Sequence, residues 1–351
     1  LFTINFPKKF YIIHIFMKIK IKNNSNLMKK KVVDYQWPSA LGKKYNFNDK
    51  ISLKDNKKKL IKIENFFKKK FGYNVKLFPS GRAAIATIIR FLKINRSNEV
   101  FTDKWSSHCL FNTIGAYTNV NTSLHDPDLV ICIHKWGKIK KIKVKKNFKI
   151  IEDSVDSLII NKRALFPNKG EFEIFSLPKI IGSISGGLVV SKNKKFIKFC
   201  SKEQKKNKNL GVYQAREKFN ESNKLQKNYN TWLYYESWNT YLEINSLLNI
   251  EKCLNNYDLN KNKIIRRLKI INKILKINNK FIYRVGPVSA IPEKKLKNTK
   301  KLSKKLLIRH DSKFIGKKIK FEKYFLIPLH FKINDKDFSS YFKKIKKNYK
   351  G

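Results

Sequence analysis

This chain reads as an α/β protein built on a largely parallel sheet. Three observations predict it. Short apolar runs alternate with amphipathic stretches at helical spacing, one run leads straight into a Ser-Gly helix start, and another ends in adjacent acids. A chain of 351 residues with 42% hydrophobic content suffices for one large domain and a smaller appended one.

The elements follow in order. Residues 58–71 have the pattern of an amphipathic helix, and residues 75–78 that of a strand. Ile85, Ile88, Ile89 and Leu92 then recur at helical spacing within the stretch that ends near residue 96. Between them lies Pro79-Ser80-Gly81-Arg82, so Ser80 and Gly81 sit at a helix N-terminus. Free backbone N–H groups and the positive dipole end favour a phosphate there. Further strands are expected at 99–102, 129–134, 148–152, 172–176 and 188–191. The run Ile150-Ile151 ends in Glu152-Asp153, which projects Asp153 from the C-terminal end of a buried strand. Residues 202–230 are polar and rich in Lys and Asn, like a mobile surface segment. A helical pattern follows from Trp238 through Leu247, Leu248 and Ile250, then a second at 263–275, then short strand-like pieces to the end. These changes divide the chain into an N-terminal extension (1–30), a large domain (31–237) and a small C-terminal domain (238–351).

Lys179 stands apart from the many other lysines. It lies in Ser176-Leu177-Pro178-Lys179-Ile180-Ile181, ahead of Gly186-Gly187 and the apolar run Leu188-Val189-Val190. An amine desolvated among apolar neighbours has its charged form disfavoured, which frees a nucleophile suited to a Schiff base. Singly, each segment has a plain alternative: an N-cap serine, a turn-capping aspartate, a surface lysine. In order they supply a phosphate cradle, an acid at a strand end and an amine before a Gly-Gly strand. Those are the parts a pyridoxal phosphate site needs, with Asp153 keeping the cofactor's ring nitrogen protonated.

Taken together, the segments resemble a known family, the pyridoxal-phosphate-dependent sugar aminotransferases called DegT/DnrJ/EryC1/StrS. Ser80-Gly81-Arg82-Ala83-Ala84-Ile85 is similar to the family's Ser-Gly-Thr-x-Ala-Leu loop, and His134-Lys135-Trp136-Gly137 to its His-x-x-Gly segment. Glu152-Asp153-Ser154-Val155-Asp156 looks like its Glu-Asp-Ala-Ala-Gln motif, and Phe175-Ser176 with Lys179 and Gly186-Gly187 like its lysine segment. Leu326-Ile327-Pro328-Leu329-His330 resembles its Leu-Pro-Leu-His tail. The similarity runs from about residue 31 to the end.

The resemblance implies a fold type I transferase, with one antiparallel strand in a seven-stranded sheet and a smaller C-terminal α+β domain. It implies pyridoxal 5'-phosphate held by Lys179, with Asp153 on the ring nitrogen and Ser80, Gly81 and Ser176 around the phosphate; Arg82, standing where the family has threonine, either contacts the phosphate through its guanidinium or points outward. Asp156 falls near the phenolic oxygen. A ring stacked on the cofactor would come from Trp105 or His108; His108, which opens the next helix, is slightly favoured. It further implies a homodimer with Asn239 reaching the partner's site, and a nucleotide-sugar substrate aminated from glutamate in surface polysaccharide or glycan synthesis. Family dehydratases carry histidine in place of the lysine, so Lys179 favours transamination. Departures are plain: Arg82 replaces the loop threonine, Asp156 the glutamine and Ser185 an acid, and the Ser176-to-Lys179 spacing is short. They leave a non-catalytic or differently reacting member of the fold as the alternative.

Composition adds bounds. Lys+Arg is 79 against Asp+Glu 25, a net charge of +54, yet the basic residues are spread along the whole chain among Asn and Ile. That pattern predicts weak, salt-sensitive attraction to nucleic acid and no specific recognition. The four cysteines (Cys109, Cys132, Cys200, Cys253) and six histidines lack paired metal-ligand spacing, so no metal is expected and a reducing cytoplasm is. The apolar stretch 10–17 is too short to span a bilayer. The chain opens with Leu1 and has methionines at Met17 and Met28, so residues before about Met28 are expected to be an upstream extension.

Overall fold

Alternate residues along the strands face separate apolar clusters on the two sides of the sheet, and this layering sets the architecture of the computed structural model. It describes residues 38, 53–104, 106–143, 148–159, 161–206, 240–277, 284–303, 307–315 and 318–350, all within one compact unit, Val33–Gly351. The expected extension, the ring at Trp105, the boundary near Trp238 and Asn239 all lie outside the described residues.

Seven strands form the main sheet: β1 (Asn74–Phe78), β2 (Glu99–Thr102), β3 (Asn119–Asn121), β4 (Leu129–Ile133), β5 (Lys149–Asp153), β7 (Phe172–Ser176) and β8 (Gly187–Ser191). Their spatial order is β1-β8-β7-β5-β4-β2-β3. β8 pairs antiparallel with both β1 and β7, while the β7-β5, β5-β4, β4-β2 and β2-β3 pairs are parallel. This is the expected mostly parallel sheet with a single reversed strand.

One face carries Phe172, Ile174, Val189, Ile151 and Ile131 against α2 (Gly81–Phe91), α3 (His108–Gly115) and α5 (Lys194–Lys206), with Ile85, Ile88, Leu110 and Phe196 in the same cluster. The other carries Val75, Leu77, Phe175, Leu188 and Val190 against α1 (Leu53–Phe71), α4 (Leu177–Ile180), α6 (Ile244–Leu254) and α7 (Tyr257–Ile274). A sheet covered on both faces has near-continuous apolar strands, which is why Leu129 to Cys132 are all buried.

A two-residue ladder joins β6 (Leu158–Ile159) to β9 (Arg284–Val285). Beyond it, β10 (Val288–Pro292), β11 (Leu307–Ile315) and β12 (Lys318–Pro328) form an antiparallel sheet in the order β10-β12-β11, with α8 (Thr299–Ser303) between β10 and β11. The chain does not finish in strands. Residues Asp335–Asn348 form α9, capped by the Asn334 side chain, which accepts the Asp337 N–H at 2.7 Å. Phe338, Phe342 and Ile345 recur at helical spacing and are buried, each stabilising by about 2 kcal/mol. The start of the expected surface segment, Lys202 to Lys206, is the last part of α5.

Candidate active site

Strand register gathers the motifs at one edge of the sheet. Gly187 is paired with both Phe78 and Ser176, so the C-terminal ends of β1 and β7 meet the start of β8 in one row. Asp153, the last residue of β5, is paired with Ile174 two residues before Ser176. In an open α/β sheet, ligands bind outside the carboxyl ends of the strands.

The Ser-Gly loop forms here. Ser80 caps α2, its hydroxyl accepting the Ala83 N–H at 3.1 Å, and the first turn carries no acidic residue to compete for an anion. Gly187 is required by packing. A Cβ at that position would fall on the Ser80 carbonyl and 2.5 Å from the Gly81 nitrogen. The Gly186 N–H also donates to the Pro79 carbonyl at 2.7 Å. The Gly-Gly pair therefore clasps the loop backbone at the helix N-terminus. Gly81 packs toward Val155, whose Cγ1 would lie 3.3 Å from an added Cβ, placing the loop beside the acidic turn. Arg82 is buried (7% exposed) and does not point outward.

The acidic turn runs from Asp153 to Ser157, closed by the Ser157 N–H donating to the Ser154 carbonyl at 2.9 Å. Asp153 is 5% exposed. Burial lifts its carboxyl from 3.8 to about 6, against the pull of the Val155 N–H at 3.1 Å and the charge of Lys179.

Lys179 lies in α4, whose N-cap residue is Ser176. The Ser176 hydroxyl makes no capping bond there. The expectation of a lysine surrounded by apolar groups needs correcting. Its Nζ forms an ion pair with Asp156 Oδ1 at 2.9 Å, with the two side chains 28% and 15% exposed. The loop that follows is held from α6: Ser185 Oγ bonds Ser246 Oγ at 2.7 Å, and the Ile184 N–H donates to Asn249 Oδ1 at 2.8 Å. Ser185, which replaces an acid in the resemblance, thus serves the support of this loop. His108 is the first residue of α3, so it does open the next helix.

Behind this edge sit two polar networks that sequence reading did not reveal. Glu152 faces away from Asp153 because neighbours on a strand point to opposite faces. Its Oε1 accepts the Asn168 N–H at 2.7 Å and the Gly170 N–H at 3.2 Å. Its Oε2 accepts Asn168 Nδ2 at 3.0 Å and His134 Nε2 at 2.8 Å. Since the Lys140 N–H donates to His134 Nδ1 at 3.1 Å, Nε2 carries the hydrogen and the ring is neutral. Burial lowers the His134 pKa. Burial would raise that of Glu152, but the bonds from His134 and Asn168 outweigh it and hold the carboxylate below its ordinary range. Potential ligand atoms of Cys132, His134 and Glu152 lie within 4.8 Å of one another, so scattered residues do converge. Both ring nitrogens are already hydrogen-bonded, and burial pushes the Cys132 thiol up to about 12, so the cluster acts as a bracing network.

The second network ties β9 to the sheet. Arg284 pairs with Glu173 at 2.8 Å, both side chains buried, and donates to Ser154 Oγ at 2.6 Å and to the Ala164 carbonyl. Glu173 Oε1 also accepts Ser154 Oγ at 2.6 Å and its Oε2 the Phe166 N–H at 2.6 Å. Nearby, Gly137 and Gly286 bring two backbones together: a Cβ on Gly137 would lie 2.6 Å from Gly286 N, and one on Gly286 2.5 Å from the Trp136 carbonyl carbon. The His-x-x-Gly segment is thus the joint where residues 284–286 lock under the sheet.

A family profile described as "Putative PLP-dependent aminotransferase" matches residues 63–349. The chain belongs to that family. Among solved structures, it is similar to a DegT DnrJ EryC1 StrS aminotransferase from Brucella abortus, at 11% identity and TM-score 0.58, over 82% of this chain and 90% of that one. It is likewise similar to the aminotransferase TlmJ from Streptoalloteichus hindustanus, at 10% identity and TM-score 0.58, over 82% and 90%. DesI, determined in the presence of its TDP-sugar product, aligns at 10% identity and TM-score 0.56, over 82% of this chain and 84% of that one. At such identities the likeness is one of fold. No curated protein matches the sequence.

The site's donor set fits the family's cofactor: a helix N-terminus clasped by glycine for a phosphate, a buried acid for a ring nitrogen, and an amine within reach of the same turn. Among the described residues, no helix is long and apolar enough to cross a membrane.

Proposed function

We propose that this aminotransferase transfers an amino group from glutamate to a keto sugar carried on a nucleoside diphosphate, in cytoplasmic synthesis of a surface polysaccharide or glycan. The observation that carries the site is the meeting of Ser80-Gly81, Asp153 and Lys179 at one sheet edge. The sugar substrate is supported by the structural likeness to DesI, which was determined with a TDP-sugar product.

In this reading Ser80, Gly81, Arg82 and Ser176 bind the phosphate group of the cofactor. Asp153 holds a proton on its ring nitrogen. Pyridoxal phosphate, when bound, supplies an aldehyde for amine capture and an electron-withdrawing ring. Lys179 Nζ would hold the cofactor and would carry a proton at the reacting carbon. Trp105 or His108 covers the ring, and Asn239 reaches the partner's site in a homodimer. The division near Trp238 into a large and a small domain belongs to the same reading.

The test is spectroscopic. Purified protein saturated with pyridoxal phosphate is expected to show a visible absorbance band. That band is lost in Lys179→Ala and kept in Lys162→Ala, a substitution at an exposed position. Adding glutamate should bleach it with release of 2-oxoglutarate. A colourless wild-type protein would sink the catalytic reading and favour a binding protein on the same fold.

A further inference from the structure

We propose that Asp156 is the resting counter-ion of Lys179, holding its amine in place and restraining its reactivity whenever that amine is not in covalent use. The inference rests on the assignment of Lys179 as the reactive amine. It concerns a residue that departs from the family's glutamine, so the resemblance does not supply it.

Both partners are presented by braced backbone. Asp156 lies in the turn closed by the Ser157 N–H on the Ser154 carbonyl, and Ser157 Oγ donates to the His134 carbonyl at 3.2 Å. Lys179 lies in α4, where the Leu177 N–H donates to the Gly186 carbonyl at 3.0 Å and the Ile181 N–H to the Leu177 carbonyl at 2.8 Å. The ion pair at 2.9 Å joins these two frames. Because the backbones are fixed, the pair loses less entropy than one between two free surface side chains.

Charge placement gives the pairing its use. The charged groups that act most strongly on Asp153 include Lys179, Asp156 and Lys135. Two acids therefore share the field of one reactive amine. The more exposed acid, Asp156, takes the direct contact, and the buried one, Asp153, keeps its place for a cationic ring nitrogen. A glutamine at 156 would offer Lys179 a dipole in place of a charge. The ammonium would then be drawn more strongly to Asp153, the acid the ring nitrogen needs.

The experiment uses the full chain without added cofactor. A limiting amount of an acylating reagent is applied at fixed pH, and modification of Lys179 is quantified by peptide mass spectrometry against the exposed Lys162 and Lys195. In Asp156→Asn, Lys179 is expected to react about five-fold faster, the scale of losing a partly exposed ion pair, with both reference lysines unchanged. Asp156→Glu should restore slow labelling, a rescue that a purely structural role would not give. An unchanged or slower Lys179 rate in Asp156→Asn with unchanged reference lysines overturns the proposal, as does failure of the Glu rescue. No step needs the cofactor, so this result stands apart from the visible-band test of the catalytic reading.

Discussion

Glu152 and Asp153 are neighbours at the end of β5, both buried, yet their surroundings differ sharply. Glu152 is supplied with donors from His134, Asn168 and Gly170 and is held ionised. Asp153 is served by one short-range backbone donor and a nearby lysine charge, and burial leaves it near 6. A strand reverses its facing at every residue, so one carboxylate can brace the fold while the next is kept under-solvated for chemistry. Satisfaction marks the bracing acid, and its scarcity marks the one proposed to meet the ring nitrogen.

Breaking the reactive side should give the largest effect. Asp153→Asn is expected to retain cofactor but slow transamination by about a thousand-fold, since the ring nitrogen loses its ionised partner. Near-normal turnover would move the role to Asp156. The same change should stabilise the cofactor-free protein. Below pH 3.8 the carboxyl is protonated whether folded or not. Between 3.8 and about 6 only the unfolded chain gives up its proton, so stability falls across that window as pH rises. Above about 6 the full penalty is present, and Asp153→Asn removes up to about 3 kcal/mol of it. Urea unfolding at pH 5 and pH 7 reads the difference, and a melting point independent of this substitution at pH 7 contradicts the assignment.

The structural side breaks differently. Arg284→Met leaves Glu173 buried without its cation and should lower stability by about 3–5 kcal/mol. Burial lifts the Glu173 carboxyl to about 7 even beside Arg284, and further without that cation, so the double variant with Glu173→Gln should recover part of the loss above about pH 7, where the lone carboxyl would otherwise have to charge. Equal losses in single and double variants would show that Arg284 acts through packing alone.

The smallest effect sharpens the comparison most. Glu152→Gln keeps shape but sets an amide against the donors of His134 and Asn168, lowering stability by about 1–3 kcal/mol. It should leave the cofactor's visible band in place. A variant that loses the band while remaining folded would show that the two neighbouring acids are not functionally separate.

The sequence made the sheet legible where strands are short, apolar and bounded by turns. β2 and β7 fall where their patterns place them, and Asp153 ends β5 as its acidic stop implied. β3 escaped because Asn119-Val120-Asn121 offers a single apolar residue. Helix α9 left a readable signal in Phe338, Phe342 and Ile345 with Asn334 before them, hidden in a lysine-rich tail that blurs its polar face. Of the proposed site residues, Ser80, Asp153 and Lys179 could be picked out because each sits in a local motif. The contact of Lys179 with Asp156 was not, since it joins two turns through space. Arg284 had no local mark at all: among 79 basic residues, only burial against Glu173 sets it apart.

The reversed strand β8 also has a consequence for how the chain is made. Among the described residues, β1 is at the edge of the sheet and its one strand neighbour is β8, the last of the seven to leave the ribosome. From residue 78 until residue 187 is synthesised, β1 has no strand to pair with, although β2, β4 and β5 can already associate. Unpaired edges invite wrong partners, and lysines nearby oppose them by repulsion. The Ser-Gly loop follows β1 and is clasped by the first residues of β8, so the anion cradle is completed only when this late strand inserts between β1 and β7. Birth order thus makes assembly of the nascent sheet and maturation of its binding edge a single event.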